Sequence, residues 1–127
     1  MIEHAIFSIL SNDAGVSAIA GDRIYPILLP QNVTYPCVSY SVDEGQEDIT
    51  FDGQGTFQPS SIEIDSWSTT HAGMLSLSGA CKAALKNYSG TVSGITIDKI
   101  QIDSAISVYE DAAEVYRKTL LITVIRR

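Results

Sequence analysis

The sequence predicts an α+β domain: a mainly antiparallel β-sheet of about four to five strands, a helix packed on one face, and short N-terminal helices. Three observations carry this expectation. Apolar residues recur at three- and four-residue spacing only in 2–20 and 71–87. Apolar and polar residues alternate in 38–42, 61–68 and much of 95–109, and a mostly apolar run closes the chain. The length, 127 residues, suits a single domain over 1–127, since domains commonly run ~100–150 residues.

Ile2, Ala5, Ile6, Ile9 and Leu10 form one apolar stripe, which predicts a helix over 2–11. A second short helix follows, with Asp13 capping its N-terminus, Val16, Ile19 and Ala20 on one side, and Gly21 ending it. Arg23 to Leu29 reads as extended. Pro26, Pro30 and Pro36 remove backbone donors, so this part is expected at a sheet edge or in an irregular crossing. Val38, Tyr40 and Val42 alternate with Ser39 and Ser41 as a half-buried strand. Residues 43–58 hold five acids, three glycines and no base, the composition of a long exposed loop or protruding hairpin.

In the strand from Ser61 to Ser68, Ile62 and Ile64 are expected inward and Glu63 and Asp65 outward, with Trp67 on the acids' side. Thr69 or Thr70 then caps a helix over 71–87 whose apolar face is Met74, Leu77, Ala80, Cys81, Ala84 and Leu85. Small residues such as Gly73 and Ala83 allow it to pack closely, and Lys82 and Lys86 suit the negative end of its dipole. Residues 87–94 form a turn-rich link. Ile95 to Tyr109 is a long strand in which Ile95 and Ile97 share one parity and Ile100, Ile102, Ile106 and Val108 the other. That change of phase at Asp98–Lys99 predicts a bulge or a break. Residues 110–114 connect to the last strand, Tyr116 to Arg127, which is apolar on both faces and therefore expected at the centre of the sheet or under a cover.

Apolar residues make up 45% of the chain, enough for a core, so disorder is excluded as a class. Fifteen acids against eight bases give a net charge of −7, which disfavours coating of nucleic acid or anionic membranes. Residues 1–65 hold ten acids and one base, whereas 66–127 hold five acids and seven bases. The halves thus differ in charge by sign. No apolar run approaches the ~20 residues that span a bilayer, and Glu3 stands where a secretory leader carries a base, so synthesis in a cytosol is expected. Cys37 and Cys81 are expected as two small buried thiols.

Candidate chemistry is sparse. His4 and His71 have no Cys, His or acid at metal-ligand spacing, so no metal is expected. There is no G-x-S-x-G elbow, and Gly53-Gln54-Gly55 lacks the third glycine of a dinucleotide loop, so no cofactor is expected either. Glu63 and Asp65 read as a solvated face rather than a catalytic pair. No enzyme reading stands out.

The pattern from Ala18 to Tyr40 is more specific. A short helix closed by Gly21 leads into Arg23-Ile24-Tyr25-Pro26, then Pro30-Gln31, then Pro36-Cys37-Val38-Ser39-Tyr40. Ile62-Glu63-Ile64-Asp65-Ser66-Trp67-Ser68 precedes a helix, and Tyr109-Glu110-Asp111 precedes Tyr116-Arg117-Lys118 and the apolar final strand. In this order, over nearly the whole chain, these segments resemble the tail completion (tail terminator) proteins of long-tailed bacteriophages. Ser66 departs from that pattern, where an apolar residue is commoner. The resemblance implies a structural protein of the virion and not an enzyme. It implies a protein that caps the tail tube and joins the tail to the head, assembled in the host cytoplasm; the alternatives are another connector of the phage neck or, further off, a small ligand-binding module or enzyme. Its implied partners are further copies of itself in a six-fold ring, the tail tube protein and a head-tail connector or stopper protein. DNA would pass through the assembly without specific binding. A ring needs two unlike patches that meet head to tail. The acidic residues Asp43, Glu44, Glu47, Asp48 and Asp52 are candidates for one patch, and Arg117, Lys118, Arg126 and Arg127 for the other.

Overall fold

The computed structural model describes residues 2–43, 58–86, 88–92, 94–112 and 114–126. Two helices, α1 (Ile2–Asn12) and α2 (Ala14–Ala20), precede strands β1 (Ile24–Pro26), β2 (Cys37–Asp43) and β3 (Gln58–Ser68). Helix α3 (His71–Leu85) then leads to β4 (Gly90–Val92), β5 (Ile95–Glu110) and β6 (Val115–Arg126). The strands form one sheet of six, in the order β1-β2-β3-β6-β5-β4. This corrects the expected four to five strands. The link at 87–94 contains β4, a three-residue strand too short to show any alternation, paired with Ile95–Ile97. The extended run after Arg23 becomes β1, which pairs with β2 in parallel; every other pairing is antiparallel. The closing strand β6 is central, between β3 and β5, one of the two places its two-sided apolar pattern allows.

The cap of α2 forms at Asp13 as expected, and of the two candidates for α3 it is Thr70 that caps. Asp13 accepts the Val16 N–H at 3.0 Å, and Thr70 accepts the Gly73 N–H at 3.0 Å. At Gly73 a Cβ would meet Ser68 Oγ and lie 2.7 Å from Thr70 Oγ1, so only glycine fits beneath this cap. Helix α3 buries Met74, Leu77, Ser78, Cys81 and Leu85. With Ala5, Ile6, Leu10 and Val16 from the first two helices, these side chains cover one face of the sheet. That face presents Val38, Tyr40, Ile62, Ile64, Leu120, Ile122, Val124 and Ile100, and together they form the core.

The register of β5 on β6 decides which side chains reach this core. A shift between Ile97 and Lys99 matches the phase change at Asp98–Lys99. A second shift, between Ile102 and Ser104, has no counterpart in the apolar pattern. Ile100 and Ile102 stand opposite Val124 and Ile122 on the core face. Beyond the second shift it is Ala105 that stands opposite Leu120, whereas Ile106 and Val108 stand opposite Thr119 and Arg117 on the other face. Asp103, at this bulge, accepts from Thr123 Oγ1 at 2.5 Å and from Gln101 Nε2 at 3.1 Å.

Leu77 lies wholly buried on α3 against the sheet. Leu77→Ala is expected to cost about 2–5 kcal/mol, read from the urea midpoint at constant slope. Cys37 and Cys81 are free and buried, and burial pushes both thiols up from 9.0 to about 12. Since the thiolate is the nucleophile, both should resist alkylation at pH 8 in the folded protein and react on unfolding. A thiol raised on folding contributes stability fully below pH 9.0, and that contribution fades as the pH climbs toward about 12. Urea midpoints falling across that window, and not in a Cys37→Ser, Cys81→Ser chain, would show it.

Candidate assembly surface

Among the described residues, the helices lie on one side of the sheet and leave its second face open. Its rows are set by strand register. One runs Tyr25, Ser39, Asp65, Thr119, Ile106 across β1, β2, β3, β6 and β5; a neighbouring row carries Trp67, Arg117 and Val108. Polar side chains knit this face. Trp67 Nε1 donates to Ser39 Oγ at 3.0 Å, and the Arg117 guanidinium lies 5.5 Å from the Trp67 ring centre. Arg117 Nη2 also pairs with Glu110 Oε1 at 2.9 Å, which closes the end of the β5–β6 hairpin. On the helix side of the same hairpin, Tyr116 packs against Tyr109 at 4.9 Å and against the edge of His71 at 5.7 Å.

Next to this network lies the acid pair. Asp65 is buried and accepts from Thr119 Oγ1 at 2.5 Å, which corrects the expectation that both acids face solvent. A shared hydrogen bond with Asp65 raises the Glu63 carboxyl above its usual range; burial and the Asp65 charge push the same way, against Arg117. Glu63 and Leu121, with Ser41, Ser61 and Asp103, line an open groove of about 410 Å³. Among the described residues no three His, Cys, Asp or Glu side chains gather where a metal ion could be held. His4 and His71 are both exposed and lie on different helices. The arrangement is a braced surface with apolar edges.

A family model described as Tail completion protein gp17 matches residues 4–125. The chain belongs to this family. Its members are structural proteins of bacteriophage tails, not a family of enzymes. No curated protein matches the chain. A chain of a solved structure, "Virion of native gene transfer agent (GTA) particle", superposes with a TM-score of 0.72 at 19% identity, covering 96% of this chain and 91% of that one. At that identity the likeness supports the fold.

For a tail completion protein the relevant features are surfaces, and the structure distributes the candidate charges among several. Asp43 ends β2; Glu44, Glu47, Asp48 and Asp52 lie outside the described residues, as does Arg127. Arg117 and Lys118 are neighbours on β6 and so point to opposite faces, Arg117 in register with Trp67 and Lys118 with Ser66. Arg126 ends β6, nine residues from Arg117, about 30 Å along a strand. Asp43 is level with Ser61 and, through it, Thr123, while Gln58 pairs with Arg126. β2 thus ends, and β3 begins, toward the Arg126 end of the sheet.

Several exposed apolar residues escaped the sequence reading. Ile27 and Leu28 are 73% and 77% exposed, and Ile106 is 53% exposed. For Ile106 the missing information is the bulge at Asp103. For Ile27 and Leu28 the hint is Pro26, where β1 ends.

The acid pair yields a pH signature. Because folding raises the Glu63 carboxyl, its protonated form is the stabilised one. That contribution is fully present below the ordinary glutamic acid value and is lost as the pH rises through the folded one. Glu63→Gln keeps a permanent donor toward Asp65. It is expected to melt higher than the parent chain at pH 7, with the gap closing toward pH 4 in thermal scans.

Proposed function

We propose that this protein ends the growing tail tube and forms the joint between tail and head, acting as a ring of copies around the DNA channel. The observation that carries the reading is the family match, which spans 4–125 and so nearly the whole chain. The reading places the protein in the virion neck, after assembly in the host cytoplasm. Its partners are then the tail tube protein on one side and a connector or stopper protein on the other. A six-fold ring is the form proposed.

Physical features support docking rather than catalysis. On the open face polar side chains bond to one another, as in Trp67–Ser39 and Asp65–Thr119, which braces it as a docking surface. A net charge of −7 opposes tight binding of passing DNA, which suits a channel through which a polyanion slides. The acidic stretch Asp43 to Asp52 is proposed to contact a neighbouring copy or the tube. Arg117, Lys118, Arg126 and Arg127 are the cations offered to it. Since Arg117 and Lys118 face opposite ways, they would serve two different contacts.

Deletion of the gene from its phage tests the reading. Electron microscopy of the lysate should show overlong tails, or tails and filled heads that fail to join. Normal, infectious virions without the gene product would contradict it.

A further inference from the structure

We infer that a second copy of this chain docks on the open edge of β5, with Ile27 and Leu28 of one copy seated against Ile106 and Val108 of the next. The ring reading supplies only the closure of such contacts; the contact itself is argued from the two edges of the sheet.

The row Tyr25–Ser39–Asp65–Thr119–Ile106 crosses five strands, a width of about 19 Å. At this level β1 and β5 are both edges, because β4 pairs only with Ile95–Ile97. The two edges are unlike. Along β5, from Asp98 to Glu110, no strand lies beside the outer side among the described residues, and Ile106, Val108 and Tyr109 are exposed there. A long apolar edge of this kind readily accepts another chain.

Edge β1 is blunt. It has three residues and ends in Pro26, which has no N–H to offer a further strand. What it presents is a knob. Ile27 sits at φ 67°, a conformation that β-branched residues avoid at a cost of ~1–3 kcal/mol. Two short bonds hold it there: the Ile27 N–H reaches the Tyr40 carbonyl at 2.7 Å, and the Leu28 N–H reaches the Pro26 carbonyl at 2.7 Å. The result is a strained backbone that thrusts two large apolar side chains into solvent, beside exposed Pro26.

A knob on one edge and an apolar open edge level with it across the sheet are two different patches, as a head-to-tail contact demands. Polar groups agree. Among the described residues the buried side-chain atoms without a hydrogen-bond partner are Glu3 Oε2 and Arg117 Nε. Glu3 lines the groove beside Ile27, and Arg117 stands opposite Val108, so residues of opposite charge flank the two patches. Two side chains fall well short of the ~800 Å² per partner that a stable complex buries. The contact is therefore weak between free copies and strengthens where copies are held side by side.

Cysteine cross-linking tests this, because Cys37 and Cys81 are buried. Leu28→Cys and Ile106→Cys chains are mixed with a short bis-maleimide at high protein concentration. A mixed dimer is expected from the pair and none from either chain alone; a Leu28→Cys, Ile106→Cys chain should give a ladder. Leu75→Cys, exposed on α3, mixed with Ile106→Cys sets the background. Adding Leu28→Asp in place of the knob, with an unchanged melting curve, should lower the yield in an otherwise matched Ile27→Cys mixture about tenfold or more. A mixed yield no higher than background overturns the inference. So does Ile106→Cys linking to itself, which would mean a two-fold edge pairing, or to tail tube protein in preference to a second copy. Rings seen on tail tubes without this cross-link would leave the proposed function standing and remove only the interface. The cross-link without rings on tubes would do the reverse.

Discussion

The pairing of β5 with β6 is the constraint on which the surface of this protein depends. Two shifts interrupt it, and the second changes the face to which the rest of the strand is committed. Side chains alternate along a strand with a period of two, so one extra residue turns every later side chain over. Ile100 and Ile102 go to the core and Ile106 and Val108 to the open face, although all four share a parity in the sequence. Asp103 fixes the place of that change through its bonds with Thr123 and Gln101. A bulge that moves two large apolar residues out of the core forgoes their burial, worth roughly 1.5–3 kcal/mol each. Selection for a surface is a physical reason to accept that loss.

The two faces of the sheet divide the work. The helix side is largely apolar, with Ser66 and Ser78 buried in it, and its layers of Ile, Leu and Val against α1, α2 and α3 hold the fold. On the open side, bonds between side chains replace packing: Trp67 with Ser39, Asp65 with Thr119 and Arg117 with Glu110. These partners come from β2, β3, β5 and β6, so the network ties four strands laterally. A surface braced in this way keeps its shape when a neighbour docks, and less conformational entropy is lost on assembly.

Membership of the tail completion family directs attention to shape. The docking proposed for it calls for unlike edges, braced faces and a charge that does not trap DNA. Its β1 edge is short and closed by proline, its β5 edge is long and open, and its net charge is −7.

The sequence by itself determined the α+β class, all three helices with a cap at Asp13 and another at Thr69 or Thr70, and a last strand either central or covered. These follow from local rules: the period of apolar residues, capping chemistry and two-sided burial. It also carried the family, through the segments around Arg23–Pro26 and Pro36–Tyr40. Only the tertiary structure decided that β4 exists and that β1 runs parallel to β2. Both strands are three residues long and owe their state to a partner strand rather than to their own pattern. It alone decided that Asp65 is buried, because the Thr119 hydroxyl that satisfies it lies 54 residues away. And it alone turned Ile106 outward, since a bulge is a relation between two strands and one strand's sequence does not contain it.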